Sequence, residues 1–338
     1  MDRQAFAAYL DSLFGFTQVN RLESLLLGQI KDRGDQVKGT KILVACSGGG
    51  DSMALLHLLV ALRASLNLIL EVAHIDHRIR PDSGEDRGFV EEEASRLNLS
   101  LHARELSCLD GYPGGVEMQA REARWSCLKE IADQQGARWI ATGHTLDDHT
   151  ETVLMRMARG SGLRALTPLS ACQSPRWSPL IQLTRSTLRS YLLENKTPWR
   201  EDPTNALPFT SRNRWRMILK SIREECPSFD EHVWDTHRQS ESTLALAEAF
   251  VASLRPQSWD LDLSTKSILF KPREWNETEL AMIMNLAFRE WGYLRESRHL
   301  QNLSLWVCRG LRSQLEASNG GYILSLLPDS EGMRLYKE

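Results

Sequence analysis

With 338 residues, 42% of them hydrophobic and 25% charged, the chain has the length for about two domains and the composition of an ordinary soluble globular protein. The formal net charge of −3 excludes a general nucleic-acid signature, so any such function has to rest on a local basic cluster. The absence of an apolar run of about 18 residues excludes a membrane span, MDRQAFAAYLDSLFGF lacks the apolar core of a signal peptide, and six scattered cysteines without a C-x-x-C pair argue against structural zinc or a disulfide framework; a cytoplasmic protein is expected.

In chain order, residues 1–36 carry apolar positions at helical spacing (Phe6, Leu10, Leu13, Phe14, then Leu22, Leu25, Leu26, Ile30) and read as an N-terminal helical segment covering a sheet edge. The next stretch, KILVACSGGGDSMALLHLL from Lys41 to Leu59, is a β-branched apolar run, a glycine turn and an amphipathic helix. Glycines reach positive φ and carry no Cβ, so their N–H groups can converge on one point beside a helix N-terminus, and such a nest favours phosphate. The hydroxyls of Ser47 and Ser52 can donate to phosphate oxygens. Asp51 cannot, which leaves it a metal or a helix-capping role. No Lys follows the glycines, so this is not the loop of P-loop NTPases, nor is it G-x-G-x-x-G. A plain turn capped by Asp51 is the alternative.

A second strand, Leu68 to His74, leads to HIDHRIRPDS and a helix from Ser83 to Leu97. Strand, helix, strand at this spacing predicts a parallel sheet with right-handed crossovers, and ligands bind beyond the carboxyl ends of such strands. Leu99 to Leu106 reads as a third strand and Val116 to Gln135 as a helix on which Arg121 and Arg124 share a face, either as a solvated basic face or as ligand contacts. Trp139 to Thr142 makes a fourth strand running into GHTLDDHTET. His144, Asp147, Asp148 and Glu151 crowd this strand-to-helix turn, more acid than a cap needs; such a cluster can hold a cation, bind an ammonium group or act as a general base. Arg159 to Leu163 follows as a glycine turn, a helix stop or another phosphate contact.

Pro168 to Pro179 is irregular, and a helix runs from Arg185 to Glu194. TSRNRWRMILKSIR is the densest basic segment, with Trp215 among Arg212, Arg214, Arg216, Lys220 and Arg223; it suits a nucleic-acid backbone or a solvated helix face. Beyond Cys226-Pro227 the chain reads as helical over 230–254, 277–291 and 298–307. WDLDLSTKSILF forms a short strand pair and Tyr322 to Leu327 a weak strand.

SGGGDS resembles the signature of the PP-loop, or N-type ATP pyrophosphatase, superfamily. HIDHRIRPDSGED, EMQAREARW, GHTLDDHTETVLMRMARGSGL, EDPTN and RNRWR resemble, in order over about residues 40 to 220, the motifs of the tRNA(Ile)-lysidine synthetase family. That resemblance implies an α/β fold, a parallel sheet with helices on both faces of the HUP-like PP-loop type, in a catalytic domain over 37–224. A smaller, mostly helical domain over 227–338 would position tRNA. It implies that ATP, with Mg2+, adenylates the wobble cytidine of an isoleucine tRNA with a CAU anticodon, and that L-lysine then displaces AMP. Ser47, Gly48, Gly49, Gly50, Asp51 and Ser52 would hold ATP, with Asp51 also the metal ligand. His144, Asp147, Asp148 and Glu151 would form the lysine site, with Asp148 as base. Asp51 and Arg121 would join Asp148 in catalysis. His77, Arg80, Arg121, Arg124 and Arg159 would meet the adenylate or cytidine, and Arg212, Asn213, Arg214 and Arg216 the tRNA. A homodimer is compatible, and no membrane partner is expected.

His149 stands where the family has Gln, Trp125 where it has Tyr, and Ser178 where an Arg-Pro-Leu-Leu segment has its Arg. The additional C-terminal domain of longer members is not expected in a chain ending at 338. A thiolase-type PP-loop enzyme would need a C-x-x-C pair or catalytic cysteines. A tRNA-binding paralogue without activity would not need Asp51, His144, Asp147, Asp148 and Glu151 together.

Overall fold

A computed structural model describes residues 21–32, 36–76, 83–106, 116–161, 163–168, 172–201, 211–255, 257–262, 264–265, 267–271, 276–290, 314–316, 323–329 and 332–337. The chain divides into two compact units, Met1–His149 with Leu169–Met217, and Thr150–Pro168 with Ile218–Glu338. The segments 150–168 and 218–224, which the sequence places with the catalytic domain, therefore group with the second unit.

The first unit is an α/β layer structure. Helix α1 (Arg21–Asp32) precedes β1 (Lys41–Ala45), α2 (Gly50–Leu66), β2 (Ile69–Asp76), α3 (Ser83–Arg96), β3 (Leu101–Glu105), α4 (Val116–Gln135), β4 (Trp139–Ala141) and the first turn of α5 (Leu146–Met157), whose remainder from Thr150 groups with the second unit. A short hairpin, β5 (Cys172–Gln173) and β6 (Arg176–Trp177), and helix α6 (Arg185–Glu194) follow. The strands lie in the order β3-β2-β1-β4-β6-β5, parallel except for the β5–β6 pair. The order reverses between β1 and β4, whose carboxyl ends carry the two polar turns. That is where an open α/β sheet takes its ligand.

The unbroken apolar run of β1 has a physical reason: both its faces are covered. Ile42, Val44 and Cys46 point into a core shared with α1, α2, α3 and α6, while Leu43 and Ala45 point into one shared with Leu128, Ile131 and Ala132 of α4. On α2, Leu55, Leu56 and Leu59 are fully buried, each contributing about 1.5–3 kcal/mol relative to exposure. Helix α1 buries Leu22, Leu26 and Ile30 in the first of these cores, and the Tyr191 hydroxyl on α6 donates to Glu23 at 3.1 Å. It thus covers the helical layer, where the sequence placed it on a sheet edge; its i, i+4 stripe specifies a buried face but not which neighbour supplies it.

In the second unit, described by itself, α7 (Ser211–Glu225) continues into it from the first, followed by α8 (Phe229–Ser253) and α9 (Glu277–Glu290). Arg223 grips Asp230 with two hydrogen bonds of 2.7 and 2.9 Å, and His237 stacks on Trp234 while bonding the Leu166 carbonyl at 3.1 Å. The strand pair read in WDLDLSTKSILF forms as β7 (Trp259–Asp262) and β8 (Ser267–Phe270), and the weak strand forms as β10 (Ile323–Asp329). With β9 (Gln314–Glu316) and β11 (Gly332–Lys337) they build a five-stranded antiparallel sheet, β7-β8-β11-β10-β9, more sheet than the sequence suggested. The helix expected over 298–307 lies outside the described residues. No helix among the described residues is long and apolar enough to cross a membrane.

Candidate active site

The first turn is built around Ser52. Its buried hydroxyl donates to the Gly49 carbonyl at 2.9 Å, accepts from the Ser47 N–H at 3.1 Å and lies 3.2 Å from the Ser47 hydroxyl. Ser52 therefore shapes the loop, leaving Ser47 as the exposed hydroxyl. Gly48 has φ +86°, and a Cβ there would stand 3.3 Å from the Phe89 ring, so glycine is required on both counts. No side chain caps the N-terminus of α2 at Gly49, which leaves its first N–H groups directed at the turn. The capping alternative for Asp51 is thereby removed: its carboxylate accepts instead from Arg185 Nε at 3.3 Å.

The loop is pinned from the far side of the sequence. The Arg200 N–H donates to the Gly48 carbonyl at 3.0 Å, and its guanidinium binds Asp86 at 2.5 Å and Glu85 at 2.9 Å on α3. Gly143, at the end of β4, backs onto the start of α2 so closely that a Cβ would lie 3.1 Å from the Asp51 carbonyl oxygen. That contact sets the two strand-end turns side by side.

In the second turn both adjacent acids hold helix ends. Thr145 and Asp148 form a reciprocal capping box: the Asp148 N–H donates to Thr145 Oγ1 at 3.3 Å, and Asp148 Oδ2 accepts from the Thr145 N–H and hydroxyl at 3.0 Å each. Asp147 Oδ2 accepts the Arg185 N–H at 2.8 Å, at the start of α6. Yet neither is only a cap. Asp148 Oδ1 also takes the Arg185 guanidinium, and Arg216 approaches it to 4.0 Å. Burial pushes the Asp148 carboxyl up, but Arg185, then Arg212, His144 and the Thr145 N–H outweigh it and hold the group below the usual range. Asp51 goes the other way, raised by burial and by Asp148 and Asp147 against the opposing pull of Arg185.

His144 Nδ1 lies 2.8 Å from the Thr142 hydroxyl, which is 2.9 Å from the buried Ser178 hydroxyl. Burial lowers its pKa to about 4; Asp148 opposes this, while Arg121, Arg176 and Arg124 add to it, so the ring is neutral near pH 7. Arg124 is itself lowered by burial and then by Arg121, and Arg176 in the same way; Arg176 also sits 4.2 Å over the Trp125 ring. In the unfolded chain the imidazole takes up its proton near pH 6.5, and in the folded chain only near 4. Between these values the unfolded state binds more protons, so stability falls as pH drops from 6.5 to 4, by at most about 3 kcal/mol from this group. Denaturant unfolding over that range should show the loss, and His144→Asn should flatten it.

The structure thus brings Asp51, Asp147, Asp148, Arg212 and Arg216 to one cluster and Arg121 and Arg124 to His144. Arg212 and Arg216, expected on tRNA backbone, act on Asp148; Asn213 is half-buried and Arg214 is exposed on the same helix. Glu151, buried, and Arg159, exposed, belong to the second unit. His77, Arg80 and 202–205 of the E-D-P-T-N motif lie outside the described residues. Sequence reading missed Arg185, Arg200 and Arg176. For the first two the signal would be an Arg at a helix start and one beside a tryptophan, both too common to single out. The thiols of Cys46 and Cys127 are pushed up by burial, which disfavours the thiolate a nucleophile needs.

Residues 21–222 match the PP-loop domain family. The chain is 42% identical over 182 residues to a tRNA(Ile)-lysidine synthase of Solibacter usitatus, covering 53% of this chain and 40% of the relative. It is 28% identical over 303 residues to one of Bacillus subtilis, covering 81% and 61%. The chain therefore spans roughly two fifths to three fifths of the length of these curated relatives. Among solved structures, the U34-tRNA thiolase NcsA of Methanococcus maripaludis superposes with a TM-score of 0.53 at 15% identity, over 64% of this chain and 80% of the other, a likeness of fold.

Proposed function

This chain belongs to the PP-loop family, its residues 21–222 carrying that domain, and on that premise we propose that it is a tRNA(Ile)-lysidine synthetase. In this reading the 2-carbonyl oxygen of the wobble cytidine in a CAU anticodon attacks the α-phosphorus of ATP and pyrophosphate leaves. The ε-amine of free lysine then attacks that carbon, loses a proton, and AMP departs with the oxygen. What supports it, besides the names of the relatives, is one observation: Arg185 joins Asp51 of the phosphate turn to Asp148 of the acidic turn. An activating site and an ammonium-selecting site at this separation are what a two-step adenylation and transfer requires.

The roles follow from the local chemistry. Gly48, Gly49, Gly50 and the Ser47 hydroxyl receive the triphosphate. Asp51, a hard oxygen donor raised by burial and by its acidic neighbours Asp148 and Asp147, would hold Mg2+, which would supply charge neutralisation at the departing pyrophosphate. Asp148 and Asp147 select the lysine ammonium, and Asp148 takes its proton. His144, neutral, orients through Thr142, while Arg121 and Arg124 meet the adenylate. Arg214 meets tRNA backbone.

Pyrophosphate release from ATP should require a CAU-anticodon tRNA, and AMP release should require lysine in addition. Release of both products without tRNA would refute the reading.

A further inference from the structure

Arg185 occupies ground that the reaction proposed above needs for other cations. Its guanidinium reaches Asp51 at 3.3 Å on one turn and Asp148 on the other, and its N–H is held by Asp147 at 2.8 Å. The side chain is 23% exposed, placing it between the uncapped start of α2 and the acidic turn. A guanidinium shared by carboxylates of two turns fills the place where an ammonium would draw on the same oxygens.

We propose that Arg185 is a positioning residue that enforces the order of binding: ATP phosphates entering the turn at Ser47–Ser52 draw the guanidinium off Asp148, and only then is that carboxylate open to the lysine ammonium. Three features carry this. Asp148 is buried and its second oxygen is committed to Thr145, so one oxygen serves both Arg185 and an incoming cation. The triphosphate is a far stronger partner for a guanidinium than a single carboxylate already bonded elsewhere. Arg185 is also anchored by its own backbone, its N–H on Asp147 holding the start of α6 independently of where the guanidinium binds. Arg216, 4.0 Å from the same oxygen, is too distant to replace it without moving.

The inference rests on lysine being the second substrate, and the test separates the two. Lysine binding to the full chain is measured by calorimetry with and without the α,β-methylene analogue of ATP plus Mg2+, alongside binding of the analogue alone. Wild type should bind lysine at least about tenfold more tightly with the analogue. Arg185→Gln should lose that coupling, binding lysine alike in both states, and should bind the analogue itself about tenfold more weakly. Arg185→Lys, which keeps a cation but cannot fork between two carboxylates, should retain part of the coupling, and a melting curve establishes that each variant is folded. Coupling unchanged in folded Arg185→Gln overturns the inference while leaving lysine as substrate. No lysine binding by wild type in either state overturns both.

Discussion

Asp148→Asn is expected to lower lysine transfer at least a hundredfold while ATP binding stays within about threefold. Asn keeps the size of the side chain, and its carbonyl oxygen can still accept from the Thr145 N–H, so the capping box survives in part. What it loses is charge, the property on which Arg185, Arg212 and Arg216 all converge. Asp148 is held below its usual pKa chiefly because Arg185 overrides burial. With the guanidinium drawn away, the largest of the influences that oppose burial is gone, while Arg212, His144 and the Thr145 N–H still act on the carboxylate. Stability should fall by about 1–2 kcal/mol, since Arg185 keeps Asp51 and is partly exposed. Near-normal transfer by a folded Asp148→Asn protein would remove the residue from the chemistry and leave it a cap.

The second large effect is at the phosphate turn. Gly48→Ala forces an L-residue to φ +86° and sets a methyl group 3.3 Å from the Phe89 ring, with Val90 at 3.5 Å behind it. The left-handed conformation alone costs about 1–2 kcal/mol, and relief by rotating the peptide turns the N–H groups of the nest apart. Binding of the ATP analogue should weaken by more than about tenfold, since 1.4 kcal/mol is already one decade. The melting temperature should drop by only a few degrees. Unchanged nucleotide affinity would mean that the triphosphate does not use this turn.

Much of the sheet could be read from the chain. The runs at Ile42–Cys46 and Trp139–Ala141 are apolar and lead into glycine turns, and β1 is apolar from Ile42 to Ala45 because both faces are buried there. The hairpin of β5 and β6 could not be read: two-residue strands are too short to show a period, and Cys172 to Trp177 looks like any Pro- and Ser-containing loop. In the second unit, β11 does alternate, but its partners β8 and β10 are needed to make that alternation a sheet.

The site was half legible for a similar reason. Residue types at the two turns pointed to phosphate and to cation chemistry, and T-L-D-D held the signal of a capping box that the sequence reading passed over. The link between the turns was not there to be read. Arg185 lies 134 residues from Asp51 and 37 from Asp148, and only the fold brings them to one point. Arg212 and Arg216 make the same point from the other side: a basic helix near a tryptophan suggests nucleic acid, yet two of its arginines balance a buried carboxylate.

The central claim, that this chain joins lysine to a wobble cytidine, is tested most directly by incubating it with ATP, Mg2+, radiolabelled lysine and a CAU-anticodon isoleucine tRNA. Label is expected in acid-precipitable tRNA, released by nuclease as a modified cytidine and dependent on ATP. No label in a tRNA that a lysidine synthase of another bacterium labels under the same conditions would contradict it.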